Sequence, residues 1–119
     1  MAERRMFAKS VITSDVFLDM PLSTQALYMH LNMNADDDGF VGNPKTILRM
    51  IGTREDDLRL LITKGYIFAF DSAVIVIVHW KRNNYIKKDR YKETIFQTEK
   101  KLLKVVDGIY KKNDIELIE

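Results

Sequence analysis

The stretch ADDDGFVGNPKTILRMIGTREDDLRLLITKGYIFAFDSAVIVIVHW, residues 35–80, decides the fold. Asp36-Asp37-Asp38-Gly39 is turn chemistry, and Phe40-Val41 after it is a short extended piece. Asn43-Pro44 reads as an N-cap followed by a proline at the first helical position. It opens a helix through Ile47, Leu48 and Ile51 that Gly52 terminates. Thr53 then caps another helix, with Asp56 at the capping-box position; Leu58, Leu61 and Ile62 form its one-sided apolar stripe, and Gly65 ends it. Tyr66 to Phe70 and Val74 to Trp80 are rich in β-branched and aromatic residues, and Asp71-Ser72-Ala73 between them suits a hairpin.

Working outward, Leu22-Ser23 begins an earlier helix, with Ser23 as N-cap and Leu22 placed to staple against Leu27. Leu27 and Leu31 share one face, and the helix stops by Asn34. The order helix, short strand, helix, helix, strand, strand is that of an α+β winged helix-turn-helix, with the DGFV piece as a third strand. On the C-terminal side Ile95, Phe96, Leu102, Leu103 and Val106 recur at helical spacing, which predicts a long amphipathic helix to about Asp107, where Gly108 breaks it. The expected division is a winged-helix domain over 1–92, carrying a basic N-terminal arm and a basic segment 81–92, and a C-terminal helix and tail over 93–119.

That basic segment ends in NNYIKKDRYK, residues 83–92. From Lys81 to Lys92 six cations (Lys81, Arg82, Lys87, Lys88, Arg90, Lys92) stand against the single anion Asp89, a local +5 in a chain whose formal charge is +2. Positive charge is therefore concentrated, and clustered Lys and Arg gain affinity for a polyanion by releasing its condensed counterions. Asn83, Asn84, Tyr85 and Tyr91 add groups that hydrogen-bond or stack on bases and sugars. For the two tyrosines, packing back onto the domain is an equal alternative. Arg4, Arg5 and Lys9 of the arm are expected to hold phosphates from the other side. The helix after Thr53 is a poor reader of DNA, because Glu55, Asp56 and Asp57 fill its first turn with the wrong sign.

Composition bounds the rest. At 119 residues, 46% hydrophobic and 30% charged, the chain has the make-up of an ordinary folded domain. With no cysteine there is neither a disulfide framework nor a thiolate metal site, which fits a reducing cytoplasm. MAERRMFAKS is not followed by a signal-peptide apolar run, and no stretch approaches the roughly 20 apolar residues of a membrane span. A soluble cytoplasmic protein without membrane contact is expected.

Catalytic and metal chemistry find no constellation. Asn34, Asp36, Asp38 and Gly39 reproduce the opening of an EF-hand loop, but its twelfth position, which must supply a bidentate carboxylate, is Lys45. The turn carboxylates are read instead as solvated or as caps on local N–H groups. His30 and His79 lack the context of a triad or zinc site, and GFVGNPK lacks the spacing of a phosphate loop. No enzyme activity, cofactor, metal or small-molecule substrate is expected. Trp80 reads as core, and Met29, Met33 and Met50 as gap-fillers between helices.

ADDDGFVGNP (35–44), the helix pair after it, the strand ending in His79-Trp80 and NNYIKKDRYK together resemble the N-terminal winged-helix domain of phage replisome organiser proteins, the DnaD-related replication initiators. The likeness covers roughly residues 5 to 95. It implies a DNA-binding, self-associating module of a phage or prophage protein in a bacterial host, acting at a replication origin and recruiting helicase-loading proteins. The stripe around Leu102 and Leu103 has two readings, packing on its own domain or burial in another subunit, of which self-association is the one expected because replisome organisers are multimeric. A protein-interaction module of the same fold and a winged-helix transcriptional regulator are the alternative readings.

Overall fold

The computed structural model describes residues 4–113. Its centre is the turn at Asp36 to Gly39. Gly39 has φ of +89°, and a Cβ there would lie 2.6 Å from Cγ of Trp80, so glycine is required by backbone and by packing alike. The turn delivers the chain from α3 (Leu22–Met33) into β1 (Phe40–Val41). Next come α4 (Pro44–Ile51) and α5 (Glu55–Thr63), then β2 (Ile67–Ala69) and β3 (Ile75–Ile77). The three strands form one antiparallel sheet in the order β1-β3-β2, with Phe40 opposite Val76 and Phe68 also opposite Val76. Sequence and structure agree closely over this span: Pro44 opens α4, Gly52 closes it in the left-handed conformation, and residues 71–73 turn the β2–β3 hairpin.

The core is the expected one except at Ile62, which is exposed, and Ile51, which is only partly buried. Leu27 and Leu31 of α3, Ile47 and Leu48 of α4, Leu58 and Leu61 of α5, and Ile75 to Ile77 of β3 are all buried. Phe17, Tyr28 and Tyr66 meet edge to face, with centroids 5.3 to 5.7 Å apart. Trp80 is buried as expected, but Met33 and Met50 are exposed and fill no gap; Met29 alone of the three packs against the core.

Two helix starts differ from the expectation. Pro21, not Ser23, occupies the N-cap of α3, and Leu22 is solvent-exposed and staples nothing. Arg54 rather than Thr53 precedes α5, and its N–H donates to Asp57 at 3.2 Å. Ser23 and Thr24 explain both shifts, because their hydroxyls donate to the same Asp57 oxygen at 2.9 and 2.6 Å and tie α3 to α5. Burial would raise the Asp57 carboxyl, but the hydrogen bonds from Thr24, the Arg54 N–H and Ser23 outweigh it and hold the group below the ordinary carboxylate range. Replacing Asp57 with alanine strands three donors and is expected to destabilise the fold by about 2 kcal/mol in urea unfolding. Because the folded state holds this carboxyl below its unfolded value, its contribution is present above the unfolded value and disappears as pH falls through the folded one. The loss caused by Asp57→Ala should accordingly shrink in acid; an undiminished loss would contradict the assigned hydrogen bonds.

The arm and the C-terminal region depart further. After Arg4 to Ala8 the chain forms two short helices, α1 (Lys9–Ile12) and α2 (Asp15–Leu18), which place Val11 and Phe17 in the core. Beyond β3, α6 (Trp80–Asn83) leads into the irregular segment 84–96. The long amphipathic helix does not form. In its place stand the single turn α7 (Gln97–Lys100) and a hairpin of β4 (Leu103–Val106) and β5 (Ile109–Lys112). Asp107 and Gly108 both have positive φ, 52° and 77°, the geometry of a two-residue I′ turn. Tyr110 decides the outcome: it is buried against Phe40, its hydroxyl donates to the Asp38 carbonyl at 2.6 Å and its N–H to the Val78 carbonyl at 2.8 Å. The Leu102–Leu103 stripe expected to bind a second copy is therefore absent as a helical face, and Leu103 packs against the chain's own core. Residues 93–113 share the core of the preceding region rather than standing apart as helix and tail; 114–119 lie outside the described residues. Among the described residues no helix is long and apolar enough to cross a membrane.

Candidate nucleic-acid interface

The basic segment is held by the acidic turn. Asp36 caps locally as expected, its Oδ1 accepting from the N–H groups of Asp38 and Phe40 at 3.0 Å, but its Oδ2 also accepts from the distant Thr94 hydroxyl. Asp37 and Asp38 depart further, because both are buried and their carboxylates reach residues far along the chain. Asp37 accepts from Arg5 at 3.2 Å and from the Lys92 N–H at 3.0 Å. Asp38 accepts from the Tyr91 hydroxyl at 2.7 Å and the Thr94 N–H at 2.8 Å, with the ammonium groups of Lys100 and Lys81 at 3.4 and 3.8 Å. Burying a carboxylate is costly unless it is hydrogen-bonded and paired, and here donors and cations supply both. These are internal anchors and leave the carboxylates engaged.

The turn's carbonyls are used in the same way. Arg5 donates to Ala35 at 2.7 Å and the Trp80 indole to Asp37 at 2.9 Å. Arm, α6, basic segment, α7 and C-terminal hairpin thus converge on residues 35–38. Burial and donation to Asp38 raise the Tyr91 hydroxyl above the ordinary phenol range. Burial works against the Lys100 ammonium, but its bond to Tyr91 and the Asp38 charge outweigh this and hold it above the ordinary lysine value. Tyr91 is thereby kept as a donor and Lys100 as a cation at neutral pH.

This anchoring sorts the thirteen expected contact residues. Arg5 is withdrawn from the surface: its side chain is 2% exposed, paired with Asp37 and lying 5.0 Å from the Trp80 ring centroid. Asn83 is withdrawn too, because it is buried, donates to the Tyr28 hydroxyl at 3.0 Å and accepts from the Ala8 N–H at 2.9 Å. Burial pushes that Tyr28 hydroxyl up to about 12, so it stays protonated. Tyr91 follows the packing alternative, with its hydroxyl on Asp38 and its ring 5.8 Å from the Lys81 ammonium. Lys81 divides itself between Asp38 and solvent, and Arg82 donates from Nε to the Asp107 carbonyl at 3.0 Å. Asn84 fixes the arm by accepting from the Met6 N–H at 2.9 Å.

What remains exposed is coherent. Arg4, Lys87 and Arg90 line one cleft of about 190 Å³ with Met6, Asn84, Tyr85 and Ile86. Lys88 and Lys92 are exposed on the same segment, and Lys9 is exposed at the start of α1. Among the described residues the side chains of Arg4, Lys87, Lys88 and Arg90 form no ion pair or hydrogen bond, and Tyr85 is 78% exposed. On α5, by contrast, Glu55 and Asp56 pair with Arg59 at 3.7 and 2.8 Å and Lys45 reaches Glu55 at 3.4 Å, so that helix offers little unpaired charge of either sign.

Thr94, Lys100 and Tyr110, which position the segment, have no role in the sequence reading. Asp107-Gly108 between Val105-Val106 and Ile109-Tyr110 was a legible hairpin signal for the last of them. The other two carry no local signal at all. In comparison with known proteins the chain matches no family model, no curated protein and no solved structure.

Proposed function

We propose that this chain is a non-enzymatic DNA-binding, self-associating winged-helix module of a phage replication initiator, acting in origin recognition or remodelling and in recruiting helicase-loading proteins. One observation carries the nucleic-acid part: Arg4, Lys87 and Arg90 line a cleft with the exposed Tyr85, Lys88 is exposed beside them in sequence, and all four cations are unpaired among the described residues, on a segment fixed at one end by Asn83 and Asn84 and at the other by Tyr91 and Lys92. Pre-anchoring lowers the ordering entropy that a flexible basic loop would lose on binding a polyanion. The element order α3-β1-α4-α5-β2-β3 and the sheet order β1-β3-β2 support the winged-helix reading. Self-association, the replication role, the phage setting in a bacterial cytoplasm and the helicase-loading partners rest on the resemblance over roughly residues 5 to 95. A transcriptional regulator reading major-groove sequence through α5 is disfavoured by the mutual pairing of that helix's charges.

Lysine acetylation with and without DNA tests the surface. Added DNA should protect Lys87 and Lys88 while Lys45 and Lys64, on α4 and after α5, stay reactive. Equal reactivity of all four in both conditions would remove the assignment.

A further inference from the structure

Tyr85 differs from the other four tyrosines. Tyr28, Tyr66 and Tyr110 are buried and Tyr91 donates to Asp38, whereas the Tyr85 side chain stands in solvent. It lines two clefts of similar size. One, about 200 Å³, is lined also by Asp37, Trp80, Lys81 and Tyr91; the other, about 190 Å³, by Arg4, Met6, Lys87 and Arg90, and both share Asn84, Tyr85 and Ile86. Asn84 is held by the Met6 N–H, and its Nδ2 is buried with no hydrogen-bond partner among the described residues; Asn84 belongs to the lining of both clefts.

An exposed aromatic ring shared by a cleft with three cations and a cleft with one, Lys81, beside the rings of Trp80 and Tyr91 suits a strand whose bases are splayed apart around the ring. Stacking on such a ring is sequence-tolerant because every base has a π-face, and the flanking cations follow the backbone. In a duplex the bases are stacked on one another and present no free face. We infer that Tyr85 is the stacking residue for unpaired bases of a single-stranded nucleic acid, with Arg4, Lys87 and Arg90 on the phosphates to one side and Lys81 to the other. This inference rests on the nucleic-acid-binding reading above and adds to it the strand type and the residue that selects it.

The test uses a single strand of about 12 nucleotides containing 2-aminopurine, a duplex of matching length, and the wild-type, Tyr85→Ala and Tyr85→Trp proteins. Tyr85→Ala should weaken single-strand binding about 5- to 100-fold and leave duplex binding within about twofold, since the phosphate contacts are untouched. Tyr85→Trp should restore the affinity, and 2-aminopurine emission should be quenched by the wild type but not by the alanine variant. Wild-type protein that binds the single strand with no effect of Tyr85→Ala and no quenching overturns the stacking role while the DNA-binding reading stands. Binding to the duplex alone does the same. Failure to bind either strand at low salt defeats both.

Discussion

Asp38→Ala is expected to lower stability by about 3–5 kcal/mol, the scale found when one partner of a buried charged network is removed. The side chain is fully buried, and its loss would strand the Tyr91 hydroxyl and the Thr94 N–H and remove the anion that Lys81 and Lys100 face, Lys100 keeping only Glu93 as an ion-pair partner among the described residues. Urea unfolding measures the loss, and proteolysis locates it. Cleavage should appear first in the segment 84–96, which has no regular secondary structure and depends on these anchors. A variant that unfolds at the wild-type urea midpoint would show that the turn is not the junction on which arm, segment and hairpin converge.

The second large effect concerns binding. Charge reversal at Lys87, Lys88 and Arg90 should weaken DNA binding by at least about tenfold at low salt. It should also reduce the slope of log affinity against log salt by about 2–3, since each lost duplex phosphate contact removes about 0.9 and each single-strand contact about 0.7. The unfolding midpoint should barely move, because the three side chains are exposed and unpaired among the described residues. Loss of affinity together with unfolding would instead make them structural. Unchanged affinity would sink the site.

The two variants divide the acidic turn from the basic segment, and that division is what the sequence leaves hidden. Residues 35–80 are legible because their signals are local: Asn43-Pro44 and Gly52 bracket α4, and alternating β-branched residues flank a short polar turn. Errors within that span are one residue at helix and strand ends, except at the last strand, which the sequence pattern carries to Trp80 but which stops at Ile77, with Trp80 instead opening α6. Thr53 looks like a cap, but its N–H and hydroxyl turn back to the Leu48 carbonyl, while Asp57 is chosen by donors on α3. Beyond residue 92 the apolar spacing fits a helix and a hairpin alike, and long-range docking of Tyr110 settles it for the hairpin.

The candidate site was legible in composition but not in division of labour. A run of cations, amides and tyrosines marks the segment, yet nothing local distinguishes Tyr85, which faces solvent, from Tyr91, which is tied to Asp38. Arg4 and Arg5 are neighbours with opposite fates for the same reason: Arg5 meets an aspartate 32 residues away, and Arg4 lines an open cleft. Three consecutive aspartates look like a solvated turn until the partners of their carboxylates, up to 62 residues distant, are brought in by folding.

The most direct test of the central claim is fluorescence anisotropy of labelled single-stranded and duplex DNA titrated with the wild-type protein at several salt concentrations. The structure and the charge pattern predict binding whose logarithm falls linearly with the logarithm of salt, with a slope of about 3–4 if Arg4, Lys87, Lys88 and Arg90 each displace a counterion. No binding to either DNA even at low salt would contradict it, and the basic segment would then be a solvated face on an interaction module.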